Sequence, residues 1–260
     1  MPLNWIDTTD LSFNNLMLLE RAQISWLPGW IPDREMALAL RANPHVAWFL
    51  QHKCPEVGPW LDELGSMAPE DIDPQAVYAA EQTVLQTIND LMVYAIDPGI
   101  YDRLSFLGWD DQELHSLVDF TGKVVLDIGS GTGRLAFAAA EKAEVVFAVE
   151  PAGNLRHYLK EKARLRDCRN FYTVDGLIAE IPFPDGFADV TLTGHVFGDH
   201  PEEEIHELER VTKPGGTVIL CPGSSENEEP AHQVLIAHGY HFSWFEEPGD
   251  GMKRKYWKTL

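Results

Sequence analysis

Cysteine is scarce in this chain. Three occur among 260 residues, Cys54, Cys168 and Cys221, too widely spaced for a disulfide framework and without any Cys-x-x-Cys pair. Reduced thiols and a cytoplasmic location are expected. His45, His52 and Cys54 fall close together, but no second half of a metal site answers them, so no metal is expected. No apolar run approaches the roughly 18 residues that cross a bilayer, and no basic-flanked apolar segment of the targeting type is seen, so no membrane association is expected. Positive charge is short too: 20 Lys and Arg stand against 41 Asp and Glu, a formal net charge of −21. Binding to a phosphate backbone is mostly electrostatic, so nucleic acid is not an expected partner. The acidity reads as solubility.

A hydrophobic content of 45% supplies a sizeable core, and the length fits one large domain or one domain with an appendage. The most informative stretch is Val124-Val125-Leu126-Asp127-Ile128-Gly129-Ser130-Gly131-Thr132-Gly133. An apolar run reaches an acid, alternate glycines follow, and Leu135 to Glu141 then reads as helix. Glycines let backbone approach a ligand closely, and the N-terminus of the following helix offers unpaired N–H groups. A dinucleotide fingerprint would put its last glycine at Arg134, and its absence there argues against a nicotinamide-dependent oxidoreductase. Val145–Val149 is a second apolar strand ending at Glu150, an acid suited to a vicinal diol. Phe171 to Asp175 reads as a third. Ile181-Pro182-Phe183-Pro184-Asp185-Gly186-Phe187-Ala188-Asp189 and Arg210-Val211-Thr212-Lys213-Pro214-Gly215-Gly216 follow in order.

Together these landmarks resemble the Rossmann-like (class I) S-adenosylmethionine-dependent methyltransferases, of the small-molecule type. The resemblance implies an α/β fold, a doubly wound, mostly parallel seven-stranded sheet with an antiparallel last strand, plus an N-terminal helical cap. It implies S-adenosylmethionine as cofactor, S-adenosylhomocysteine as product, and methyl transfer to a small-molecule acceptor by in-line displacement. It places the amino-acid end of the cofactor against Gly129, Ser130, Gly131 and Gly133, with Asp127 reaching the ammonium. Glu150 takes the ribose hydroxyls, Pro151 packs on the adenine, and Asp175 with Gly176 meets the adenine edge, although Pro182 follows Asp175 at a longer spacing than the family pattern. Gly194 and His195 follow the fourth strand at the edge where cofactor and acceptor meet. His195 and His200 are candidate catalytic residues. Tyr101, in a Tyr-Asp pair ahead of the glycine motif, is a third candidate that would close over the methionine end. A non-catalytic cofactor-binding protein and an enzyme methylating a protein partner remain open, as does the oligomeric state.

Residues 1–95 match no family pattern and read as a helical cap region, with 96–260 as the methyltransferase domain. Asp33 is expected to cap a helix to Ala42. Met67 to Pro74 reads as an acidic linker, and one buried face spans Val84 to Ala95. Asp110 and Glu113 form a capping-box pattern. Six of the eight tryptophans precede the glycine motif, which points to a packed helical layer or an apolar acceptor pocket.

Overall fold

The computed structural model describes residues 5–69, 71, 73–225, 227 and 229–260, and it divides into two units, Met1–Tyr101 and Asp102–Leu260. Of the expected linker Met67 to Pro74, Glu70 and Ile72 lie outside the described residues.

The first unit contains helices α1 (Arg21–Ser25), α2 (Asp33–Ala42), α3 (Pro44–Lys53), α4 (Gly58–Met67), α5 (Pro74–Thr87), α6 (Asn89–Ile96) and α7 (Pro98–Tyr101). Apolar residues at helical spacing, Met36, Ala37 and Leu40 on α2 and Val84 and Leu85 on α5, close a core of this unit's own with Leu16, Ile24 and Leu50. Asp33 does not cap α2. It is the first helical residue, and its carboxylate accepts from the Trp60 indole N–H at 2.9 Å. The stretch expected to run unbroken from Val84 to Ala95 breaks at Ile88. There Asn89, nearly fully buried, turns its amide to the backbone of Trp5 and Ile6.

The second unit carries β1 (Val124–Ile128), β2 (Val145–Val149), β3 (Phe171–Val174), β4 (Ala188–Thr193), β5 (Thr212–Leu220), β6 (His241–Glu247) and β7 (Gly251–Thr259) in the order β3-β2-β1-β4-β5-β7-β6. Only β7 runs against its neighbours β5 and β6. Five helices accompany the strands: α8 (Gln112–His115), α9 (Arg134–Ala140), α10 (Gly153–Leu165), α11 (Pro201–Val211) and α12 (Glu229–Ala237). Side-chain alternation sorts each strand between two cores. Val125, Val190 and Ile219 pack with α9 and α10, while Leu126, Ile128 and Val218 pack with α11.

Two local expectations change. Pro214-Gly215-Gly216 does not precede the fifth strand but is absorbed within it. Register slips from Ala188↔Thr212 to Val190↔Thr217, and Gly215 takes φ +80° in the bulge. The capping box also fails: Asp110 accepts from the Gln112 N–H, but Glu113 pairs instead with Lys255 of β7 at 2.7 Å.

Candidate active site

The chain reverses sheet direction between β1 and β4, and a doubly wound sheet binds ligands in the crevice outside the carboxyl ends of such strands. Ile128 to Gly133 leaves β1 here, Glu150 leaves β2, and Gly194 with His195 leaves β4. By strand alternation Asp127 faces the same side as Val125, toward α9. One carboxylate oxygen accepts from the Ala136 N–H at 3.0 Å, and the other is buried with no hydrogen bond among the described residues. Burial pushes Asp127 up to about 7, opposed by the Ala136 N–H.

Glu150 lies equally deep. Its two oxygens accept from the Gly131 and Ala152 N–H groups, each at 2.9 Å, and burial pushes it up to about 7 against those bonds. The Ser130 hydroxyl donates to the Asp127 carbonyl at 2.7 Å, and the Gly129 and Ser130 N–H groups bond to Val149. The glycine turn is thereby stitched to both β1 and β2.

The glycines also meet a packing need that their pattern does not imply. Gly129, Gly131 and Gly133 all have positive φ, but the space saved at two of them belongs to the protein. A Cβ on Gly129 would lie 2.3 Å from Val196 Cγ2, and one on Gly133 would lie 2.7 Å from both Leu159 and Phe137. Gly194 is likewise pressed against the Cys221 carbonyl. Arg134, standing where a dinucleotide motif has glycine, donates to the Leu107 carbonyl at 2.7 Å and lies over the Trp109 ring at 3.9 Å.

Asp175 is mostly exposed and pairs with Arg156 at 2.9 Å. The same guanidinium holds the carbonyls of Glu150 and Pro151. The extra residues after Asp175 form a tight turn bridged between Leu177 and Glu180. Asp175, Gly176, Pro182 and Phe183 line an open cavity of about 620 Å³.

The three catalytic candidates have different local surroundings. His195 has φ +59°, an unusual conformation for a non-glycine residue, and its Nε2 lies 2.8 Å from Glu247 Oε1. His200 stands at the N-terminus of α11, exposed, with its backbone N–H given to Glu204. Tyr101 belongs to the first unit, its ring edge-on to Trp5 and Tyr94. Of the tryptophans, Trp109 is buried in the sheet core beside Phe245, whereas Trp26, Trp30 and Trp48 are exposed on the first unit. His52 stacks on Trp48 and His45 bonds Asn14, so these two rings serve separate neighbours. Two residues in the site, Glu247 and Arg156, had no signal in the sequence. Glu247 lies 52 positions from His195, and only the β6–β7 hairpin brings it there.

A sheet of this order with one antiparallel strand, and paired buried carboxylates around a glycine turn, defines a class I methyltransferase fold. Residues 126–220 match the methyltransferase domain family. Over 177 residues the chain is 27% identical to an uncharacterized methyltransferase of Geobacillus kaustophilus, covering 62% of this chain and 78% of that protein. It is 25% identical over 174 residues to a demethylmenaquinone methyltransferase of the same organism, covering 56% and 74%. Among solved structures, an S-adenosylmethionine-dependent methyltransferase from Aquifex aeolicus superposes with a TM-score of 0.50 at 18% identity, covering 62% of this chain and 97% of the other. The second unit is a class I methyltransferase domain, the protein an S-adenosylmethionine-dependent methyltransferase. The site fits that cofactor: an unpartnered buried carboxylate oxygen suits an ammonium, and a second buried carboxylate suits a diol. Among the described residues no helix is long and apolar enough to cross a membrane.

Proposed function

We propose that this enzyme methylates a small-molecule acceptor by in-line displacement. The observation that carries the cofactor half of this reading is the pair of buried carboxylates, Asp127 and Glu150, flanking one glycine turn, both pushed up by burial. Asp127 would meet the cofactor's ammonium through the oxygen that lacks a partner, and Glu150 would take the ribose hydroxyls. Gly129, Ser130, Gly131 and Gly133 would shape the turn, and Pro151, Asp175 and Gly176 would border the adenine. Gly194 would give its backbone to the same edge.

Bound S-adenosylmethionine supplies an electrophilic methyl carbon on a sulfonium leaving group. What the chain must add is alignment of the acceptor with that carbon, since holding reactants in line removes most of the entropic barrier. His195 stands where the acceptor would arrive, while His200 and Tyr101 are assigned no step. The small-molecule reading is supported by the likeness to a demethylmenaquinone methyltransferase and by the net charge of −21, which disfavours a nucleic-acid acceptor. The first unit closes a core of its own. Three free cysteines suit a reducing, cytoplasmic setting.

The test is radiolabelled methyl transfer from S-adenosylmethionine into a small-metabolite extract and, separately, into an extract of proteins alone. Label in the metabolites supports the reading. Label confined to protein contradicts it.

A further inference from the structure

Glu247 closes β6 with its side chain fully buried, and His195 reaches it across the carboxyl edge of the sheet. Beyond His195, the nearest cation to Glu247 is Lys253, at 3.7 Å from the other carboxylate oxygen and itself paired with Asp250 at 2.7 Å. Phe106 sets its ring edge-on to the imidazole at 5.7 Å. The His195 backbone N–H is tied to the Pro222 carbonyl, and the left-handed backbone is held by that bond and by the packing of Val196 on Gly129. A non-glycine residue kept at positive φ is strained, and strain of this kind gathers at functional sites. With Nε2 committed to the carboxylate, the ring's other nitrogen, Nδ1, makes no hydrogen bond among the described residues, while about a third of the side chain is exposed.

We infer that Glu247 is the positioning residue that makes His195 the general base for an acceptor bearing an acidic hydroxyl. A buried carboxylate that accepts from Nε2–H fixes the tautomer with a lone pair on Nδ1 and stabilises the imidazolium once a proton arrives. In the transfer the hydroxyl O–H breaks and its proton goes to Nδ1. The freed oxygen pair forms the bond to the methyl carbon, and the carbon–sulfur bond breaks with its pair returning to sulfur. A thiol has less need of such a dyad, because its thiolate forms more readily near neutral pH than the anion of an ordinary hydroxyl. This inference rests on the proposed methyltransferase reading and names the acceptor class for the same site.

The test uses the full-length protein with S-adenosylhomocysteine bound and histidine labelled with nitrogen-15. The His195 signal is assigned by its loss in His195→Asn, chosen because Asn tolerates positive φ. Lys253 lies beside Glu247 and pairs with Asp250, while Lys255, Glu113, Arg134 and Glu247 all act on Cys221. The Cys221 thiol is pushed up by burial to about 12 and does not titrate in the working range. In the wild type the proton should sit on Nε2, and in Glu247→Gln the nitrogen-15 signals should move away from that single tautomer. Affinity for S-adenosylhomocysteine should not change. An identical tautomer in Glu247→Gln would overturn the dyad.

A second arm measures methyl transfer to phenols of graded acidity, with a thiol and an amine as controls. His195→Asn should cut phenol turnover by roughly 10²–10⁴-fold. Turnover of the thiol or amine alone, or of no phenol, overturns the acceptor class. A wild-type chain that fails to bind S-adenosylhomocysteine at all would overturn the methyltransferase reading instead.

Discussion

Two carboxylic acids that resist ionisation set the chemistry of the pocket at the scale of the single residue. Burial raises Asp127 and Glu150 to about 7 from ordinary values of 3.8 and 4.5, so both hold their protons more tightly in the fold than in the unfolded chain. Stability from this source is complete below about pH 4 and is lost as pH rises through 7. The melting temperature of the empty wild type should therefore fall between pH 5 and pH 8, and Asp127→Asn should flatten that fall in a thermal scan. A slope unchanged by the substitution would contradict the assignment. Each acid is expected to regain its charge when ligand groups replace the water that burial removed. Glu150→Gln keeps shape and loses charge, so S-adenosylhomocysteine should bind roughly 10- to 100-fold more weakly, the range for a hydrogen bond to a charged group. Titration calorimetry reads this directly.

At the scale of the element, the turn from β1 into α9 is held by packing as much as by conformation. Gly129→Ala would face both φ +69° and a Cβ overlapping Val196. It should cost about 2–4 kcal/mol in denaturant unfolding. Gly129→Ala with Val196→Ala should recover part of that loss, because the two sites share one space. A cost in the double variant equal to the sum of both singles would contradict the contact. This turn was legible because an apolar run, an acid and alternate glycines sit in ten consecutive residues. What depended on distant partners was not legible. The break at Ile88 sits beside Asn89, whose amide reaches Ile6 far away in the sequence, and Glu113 leaves its capping role for Lys255 on β7. Gly215 absorbs a bulge that only its partner strand reveals. Glu247 carries no motif at all, since the hairpin that places it is 52 residues beyond His195.

For the whole molecule, strand order and charge decide the class of partner. Alternating strands and helices implied a parallel sheet, and the structure has that sheet with β7 reversed. The organisation of residues 1–95 was less legible, because short helices separated by Pro and Asn carry amphipathic spacing without a family pattern. A surface carrying −21 repels polyanions, so fluorescence anisotropy with duplex DNA or RNA at about 50 mM salt should show no binding. Tight, salt-sensitive binding there would overturn the small-molecule reading. The most direct test of the central claim is calorimetry of S-adenosylhomocysteine binding near pH 6 in buffers of different ionisation enthalpy. Re-ionising Asp127 and Glu150 should release roughly one to two protons per ligand bound, and Glu150→Gln should release fewer. Binding without proton release, or no binding, would contradict the account of this pocket.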